Sequence, residues 1–183
     1  DICLENYAIA EESAIIESSM NNYVVLLNLE KSETGFALFY KGRLLGCEAL
    51  NYGYSRIANA IRRKFRLSYR ESMTLLKESA IYAPKDLNDS IVYIWSEKDD
   101  HRQITRKEIY EAIDEELSSW IEDVNSANEM IAENPASKMV ISGSGADIVG
   151  LEILNDRFNL ETNVYLPTTV GVRKGCYAAT LGS

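Results

Sequence analysis

The chain has 183 residues, of which 46% are hydrophobic, and it carries a formal net charge of −9. This length and apolar content suit one domain of ordinary size, or one domain with a small inserted subdomain. The negative charge argues against general nucleic-acid binding, which depends on neutralising phosphates. No stretch approaches the roughly 20 apolar residues of a membrane span, and no signal-peptide pattern is visible. We therefore expect a cytoplasmic protein that makes no contact with nucleic acid or membrane through this chain.

Cysteine and histidine offer little for metal binding or catalysis. Cys3, Cys47 and Cys176 are scattered and lack metal-ligand spacing, so we predict buried reduced thiols. The single histidine, His101, stands beside two aspartates in a polar turn and is predicted to be a solvated surface residue. No metal site is predicted.

The first fifty residues predict a helix followed by three strands that double back on one another. Residues 2–4 predict a short strand, residues 7–20 a helix, and residues 23–29, 36–40 and 44–50 the three strands. Gly42 supplies the positive φ that a tight hairpin turn needs. The polar turn at residues 30–34 holds the place where, in several nucleotide-binding folds, backbone amides meet phosphate. Here that turn is charged and contains no glycine before Gly35.

Two helices follow. The first begins near Ser55, which can cap it, and buries Ile57, Ile61 and Phe65, which recur every four residues. Its other side is basic. The second helix begins at Ser68, because Ser68 and Glu71 have the spacing of a capping box. The basic residues in and after the first helix are Arg56, Arg62, Arg63, Lys64, Arg66 and Arg70.

A hairpin and a long helix come next. Residues 91–95 and 102–104 predict two strands that turn at residues 98–100. Thr105 and Glu108 form a second capping box, which opens a long helix to about residue 133. Its exposed side is acidic, and its apolar residues recur at steps of three or four: Ile109, Ile113, Leu117, Trp120 and Val124.

The last part predicts a strand at 138–142, a glycine turn at 143–146, a helix at 147–155 capped by Asp147, a strand at 163–166 and a closing helix at about 175–181. Without residues 1–22 and 66–104, three strands are followed by helix, strand, helix, strand and helix. This is the order of an α/β, ribonuclease-H-like fold, a mixed sheet with helices on both faces. We predict a core of residues 1–65 and 134–183. Residues 66–133 would form a small inserted α+β subdomain whose long helix packs back on the core.

Several short motifs keep the order and spacing of a known family. Residues 28–35 occupy, without gaps, the place of a glycine-rich phosphate loop, and Gly42, Gly53 and residues 68–75 continue the register. Residues 139–146 match a strand and glycine turn that lie under an adenosine, and 175–182 match a small-residue closing helix. The chain thus resembles the second domain of an actin-like ATPase of the bacterial cell-division FtsA family. The related PilM-type pilus assembly proteins share this domain and are the alternative.

The departures from the family pattern bear on function. Glu30, Lys31 and Ser32 replace three glycines that let backbone amides approach phosphate, and a carboxylate there would repel phosphate. Asn28 replaces an aspartate that helps to organise metal and water. Thr74 stands where the family has a basic residue facing ribose. The resemblance leaves these cofactor-facing positions: Gly143, Ser144, Gly145, Gly53, Thr34 and Lys77.

We therefore predict a domain that keeps the fold and has lost hydrolysis, with no catalytic residue and no cofactor. Weak binding of ATP with magnesium is the most that the loop would allow. The resemblance implies a cell-division or cytoskeletal adaptor acting through protein–protein contacts, with a division filament or head-to-tail self-association as its partner. It also implies that the parent protein is peripheral at the inner face of the membrane.

Two alternative functions and two alternative roles of the basic residues stay open. The chain could be half of a working actin-like ATPase whose catalytic loop lies in a first domain outside it. A ribonuclease-H-type nuclease is disfavoured, because two-metal chemistry needs several acids at the strand ends and Glu30 is the sole acid near the first one. The basic patch, predicted to bind a partner, could instead be a solvated face or pair with the acidic helix of the same molecule. Its residues are Arg62, Arg63, Lys64 and Arg66.

Overall fold

The computed structural model describes residues 2–79, 90–97, 100–134 and 137–167. Its α-helices are α1 (Ile2–Glu12), α2 (Ile15–Ser18), α3 (Ser55–Phe65), α4 (Tyr69–Ser79) and α5 (Arg106–Ala132). Its strands are β1 (Val24–Leu29), β2 (Thr34–Tyr40), β3 (Arg43–Leu50), β4 (Ile91–Glu97), β5 (Asp100–Thr105), β6 (Lys138–Ser142) and β7 (Glu161–Val164).

A five-stranded mixed sheet forms the centre of the molecule, in the order β3-β2-β1-β6-β7. Strand β2 is antiparallel to both β1 and β3, whereas β6 is parallel to β1 and β7 is parallel to β6. Strands β4 and β5 pair antiparallel in a separate two-stranded sheet. The predicted ribonuclease-H-like order of a mixed sheet is therefore confirmed.

Strand β1 is the most enclosed element, since all six of its residues are buried. Its side chains alternate between two apolar clusters, as those of a strand covered on both faces must. Val25 and Leu27 join the larger cluster with α3, α4 and α5. Val24 and Leu26 join the smaller cluster with α1 and α2. Helices thus cover both faces of the sheet, as predicted.

The amino-terminal segment corrects the prediction for residues 2–20. Residues 2–4 belong to helix α1 and not to a strand, because the segment buries Ile9 and Ala10 on one helical face while Leu4 stays 71% exposed. The predicted single helix is divided at Ala14, which has a left-handed φ of 56°. That conformation cannot continue a right-handed helix.

Both predicted capping boxes are present. The backbone N–H of Glu71 donates to Ser68 Oγ at 3.2 Å, and Ser68 N–H donates to the Glu71 carboxylate at 2.8 Å. Thr105 and Glu108 make the same reciprocal pair at the start of α5. The five apolar residues of α5 predicted to be buried are all in the larger cluster, so this helix packs against the central sheet.

The segment after β6 differs from the predicted α-helix at 147–155. It forms two 3₁₀ segments, Ser144–Asp147 and Leu151–Arg157. Gly150 separates them with a φ of 82°, and Asp147 ends the first segment and caps neither. The predicted strand at 163–166 lies two residues earlier, at Glu161–Val164. The predicted closing helix lies outside the described residues.

The prediction of reduced thiols is wrong for two cysteines. Cys3 in α1 and Cys47 in β3 form a disulfide, with their Cα atoms 5.9 Å apart. Packing of α1 over the sheet face brings them together, which their separation of 44 residues did not indicate. Cys176 lies outside the described part of the chain. No helix in the described ranges combines the length and apolar character that a bilayer span requires.

Candidate functional site at the carboxyl ends of two parallel strands

The site lies where β1 and β6 end side by side. These strands run parallel, with Asn28 opposite Ser142, so the loops that follow them leave the sheet at the same edge. In open α/β sheets this edge is the usual location of ligand sites. The loop at residues 30–33 follows β1, the turn that begins at Gly143 follows β6, and the start of α3 lies beside them.

A carboxylate of the first loop accepts hydrogen bonds from donors of the second loop. The backbone N–H of Ser144 donates to Glu30 Oε1 at 2.9 Å, and the Ser144 hydroxyl donates to Glu30 Oε2. The Tyr54 hydroxyl lies 3.3 Å from Ser144 Oγ. An amide at the start of a turn is a donor that an anion such as phosphate could use. In this protein Glu30 already fills that position.

Three backbone donors around the first loop are also satisfied within the chain. The N–H of Glu30 donates to the carbonyl of Glu33 at 2.9 Å. The N–H groups of Tyr54 and Ser55 donate to the carbonyls of Glu30 and Lys31, at 3.1 and 3.0 Å. This corrects the predicted cap of α3, whose N-cap is Tyr54 without a side-chain bond. Loop carbonyls satisfy the free amides there instead.

The glycines predicted to face a cofactor lie where the two loops and the start of α3 approach one another closely. A Cβ added to Gly143, whose φ is 88°, would lie 2.8 Å from Glu30 Oε1, and one added to Gly145 would overlap the Leu29 side chain. A Cβ on Gly53 would overlap the carbonyl groups of the first loop. The structure therefore brings these three glycines and Ser144 together around residues 29–32.

The other two predicted positions lie differently. Thr34 is fully buried, and its hydroxyl donates to the carbonyl of Tyr52 at 2.6 Å. Lys77 borders the site, with Nζ 5.6 Å from the centre of the Tyr54 ring. It also lines a groove of about 430 Å³ along α4, together with Tyr69, Arg70, Met73, Thr74 and Glu78.

Two buried amide side chains lie beneath the site, and the sequence analysis named only Asn28. Asn6 of α1 is 0% exposed and Asn28 is 2% exposed. They flank Gly35, since a Cβ there would lie 2.9 Å from both amide atoms of Asn6 and 3.3 Å from the Cβ of Asn28. The amide atoms of Asn6 and Oδ1 of Asn28 have no hydrogen-bond partner among the described residues. The signal that could have identified Asn6 is its spacing. It lies three residues before Ile9 and four before Ala10, so in a helix it shares the buried face of those two residues.

The basic side of α3 partly pairs with the acidic side of α5. Arg56 and Arg63 each lie 3.1 Å from the Glu116 carboxylate, and Lys64 lies 3.7 Å from that of Glu111. This is the neutralisation within one molecule that was left as an alternative. Arg62 and Arg66 make no such pair in the part of the chain that the structure describes. In that part, no three His, Cys, Asp or Glu residues are grouped to hold a metal ion.

No protein-family model and no curated protein matches the chain, but solved structures do. A chain of a PilM–PilN type IV pilus biogenesis complex is similar over 96% of this chain and 49% of its own length, with a TM-score of 0.70 and 14% identity. The MreB 5 protein of Spiroplasma citri bound to AMPPNP has a TM-score of 0.70 and 12% identity over 97% of this chain and 56% of its own length. The ethanolamine utilization protein EutJ from Carboxydothermus hydrogenoformans has a TM-score of 0.63 and 14% identity over 97% of this chain and 52% of its own length.

The chain spans about half the length of these proteins. At such low identity the similarity concerns the fold, and it agrees with the sheet order described above. The chain has the ribonuclease-H-like fold of the actin-like ATPases.

Proposed function

We propose that this chain is an FtsA-like or PilM-like actin-fold module of a bacterial cell-division or cytoskeletal adaptor. In this proposal it does not hydrolyse ATP and acts through protein–protein contacts. Its location would be cytoplasmic, with the parent protein peripheral at the inner face of the membrane.

The contact between Glu30 and Ser144 carries the proposal. A phosphate at this edge of the sheet would need the Ser144 amide, which already donates to Glu30 Oε1 at 2.9 Å. It would also face the carboxylate charge at short range, where water screens little. Displacing Glu30 would leave that carboxylate without its two hydrogen bonds. Both effects oppose nucleotide binding.

The chemistry of the buried amides supports the loss of hydrolysis. Asn6 and Asn28 are buried polar side chains that flank Gly35, the partner of Asn28 near the end of β1. An amide cannot act as a general base, and it attracts Mg²⁺ less strongly than a carboxylate because it carries no charge. Glu30 is the carboxylate that reaches the site, and its oxygens are engaged with Ser144.

The similar structures support a role in assemblies. One of them is part of a PilM–PilN pilus biogenesis complex, so the fold occurs there within a protein assembly. Another was solved with AMPPNP bound, so the fold by itself does not exclude nucleotide. The second candidate function, half of a working ATPase, is therefore the alternative that an experiment has to separate.

Titration calorimetry with ATP and magnesium, together with a phosphate-release assay, tests the proposal. We expect no saturable heat and no release of phosphate by the wild-type chain. Saturable binding in the micromolar range, or hydrolysis, would favour the working ATPase.

Two variants isolate the role of the carboxylate. Glu30→Ala frees the Ser144 amide and should allow weak anion binding. Glu33→Ala makes the same charge change at an exposed carboxylate of the same loop and should behave as the wild type. An equal response of the two variants would contradict the blocking role of Glu30.

A further inference from the structure

The end of α3 carries a basic groove on an otherwise acidic chain. The groove has a volume of about 540 Å³ and is lined by Asn59, Arg62, Arg63, Arg66 and Leu67. Because the chain as a whole has a net charge of −9, three arginines around one groove reverse the sign of charge locally. A local field of this kind attracts and orients anionic groups.

Two of these arginines are not used within the described part of the molecule. Arg63 pairs with Glu116 at 3.1 Å, whereas Arg62 and Arg66 are exposed and form no ion pair with any described residue. A guanidinium group offers a planar fork of donors that matches a carboxylate in a two-pronged contact. Arg62 and Arg66 therefore each present, beside one groove, a guanidinium group that forms no ion pair with a described residue.

Arg66 ends α3 in a backbone conformation that favours glycine. Arg66 is the C-cap of α3 and has a left-handed φ of 55°. Glycine is the favoured residue where a helix ends in this conformation. Arg66 therefore occupies this conformation at some cost in stability, and its exposed side chain lies beside the groove. The next residue, Leu67, is buried and supplies an apolar floor to the groove.

We infer that this groove is a docking surface for an acidic, extended segment of a partner protein. Carboxylates of the segment pair with Arg62 and Arg66, and an apolar side chain between them rests on Leu67. The inference deepens the proposed function and rests on it, since it names the partner class of a module that acts through protein contacts.

The charges around the groove favour a short acidic segment over two other occupants. A long nucleic acid would extend beyond the groove onto a strongly acidic molecule, which repels it. The acidic helix α5 of a second copy fits less well, because its Glu111 and Glu116 already pair with basic side chains of their own α3. A short segment can confine its negative charges to the groove.

Fluorescence anisotropy at low salt tests the inference. The probe is a labelled peptide with one leucine flanked on both sides by Glu and Asp, and its counterpart carries Gln and Asn instead. We expect saturable binding of the acidic peptide only. The double variant R62E/R66E should weaken binding by about tenfold or more, a difference typical of losing charge-assisted pairs. The control K41E/R43E makes the same charge change at two exposed cations of the β2–β3 hairpin and should bind as the wild type.

The single variant Arg66→Gly provides a test that does not depend on a charge reversal. Glycine suits the left-handed C-cap, so this variant should melt at a higher temperature than the wild type. If the guanidinium binds the segment, the same variant should bind the acidic peptide more weakly. A more stable variant with unchanged affinity would mean that Arg66 serves only to end the helix, and would overturn the inference.

Other results would also overturn it. These are no binding of the acidic peptide at low salt, equal weakening by the two double variants, or preference for a single-stranded oligonucleotide. Self-association in sedimentation that R62E/R66E abolishes would make a second copy the occupant and likewise overturn the inference. A failure to bind the peptide would contradict only the docking surface. Micromolar binding of ATP would contradict the proposed function, whether or not the peptide binds.

Discussion

Gly53 and Lys31 are in such close contact that a Cβ at position 53 would meet the carbonyl carbon of Lys31 at 2.5 Å. Backbone cannot yield as a flexible side chain does, so Gly53→Ala should separate the loop from α3. We expect a loss of about 1–3 kcal/mol in the free energy of unfolding, the usual range for overpacking. Gly46→Ala is the matched control, because a Cβ there would meet nothing within 4 Å. Equal unfolding midpoints in urea for the two variants would contradict this packing.

Glu30 and Ser144 should show strong energetic coupling. Hydrogen bonds to a charged group contribute about 1.5–3 kcal/mol, and contacting residues show coupling energies of about 0.5–3 kcal/mol. We expect a double-mutant cycle of Glu30→Ala and Ser144→Ala, followed by urea unfolding, to give a coupling energy in that range. Additive effects of the two substitutions would mean that the hydrogen bond from the Ser144 hydroxyl is absent in solution, since the alanine variant keeps the backbone N–H.

Stability should fall in acid partly through Glu71. The hydroxyl of Ser68, the hydroxyl of Tyr93 and the backbone N–H of Ser68 donate to its carboxylate and lower its pKa from 4.5 to about 2. A carboxyl whose pKa is lower in the folded state contributes stability above its unfolded pKa, and this contribution is lost as the pH falls. The loss should therefore occur between about pH 4.5 and pH 2.

The measurement is urea unfolding at several pH values across that window. Glu71→Gln should reduce the slope of unfolding free energy against pH, because it removes the titrating group. Tyr93→Phe removes one of the donors, at 2.6 Å from Glu71 Oε1, and should reduce the slope by less. An unchanged slope in Glu71→Gln would show that the capping bond does not form in solution.

Ile141 should be indispensable to the sheet. It is 0% exposed and lies in β6 between Leu27 of β1 and Val164 of β7. Ile141→Asp buries an unpaired charge, whose cost exceeds the roughly 5–15 kcal/mol that stabilises a domain, so we expect no cooperative thermal transition. Met130→Asp, at a side chain 95% exposed on α5, should melt as the wild type. Ile141→Val should still fold and lose about 0.5–1.5 kcal/mol.

Several local features that the sequence predicted correctly depend on neighbours along the chain. The two capping boxes follow from pairs three residues apart, Ser68 with Glu71 and Thr105 with Glu108. The β2–β3 turn follows from Gly42, which has the expected positive φ of 70°. Such features can be recognised from residues that lie close together in the sequence.

The features that it missed depend on contacts between distant parts of the chain or on one backbone angle. Glu30 was singled out as a charged residue of the first loop, yet its partner Ser144 is 114 residues away. Asn6 was overlooked because residues 2–4 were interpreted as a strand, which hid the helical face that carries it. The α-helix predicted after Asp147 was interrupted by Gly150, whose left-handed angle a sequence does not reveal.

The placement of β1 between β2 and β6 has a consequence for how the chain folds. Strand β2 follows β1 after a short turn and can pair with it early, but β6 pairs with β1 across more than a hundred residues. Closing a long-range parallel pair is slow. Until β6 arrives, one edge of the apolar strand Val24–Leu29 is open to other molecules, as an unprotected edge strand is. Synthesis on the ribosome prolongs that interval, so binding of a chaperone to nascent chains that end before residue 138 should be stronger than to longer ones.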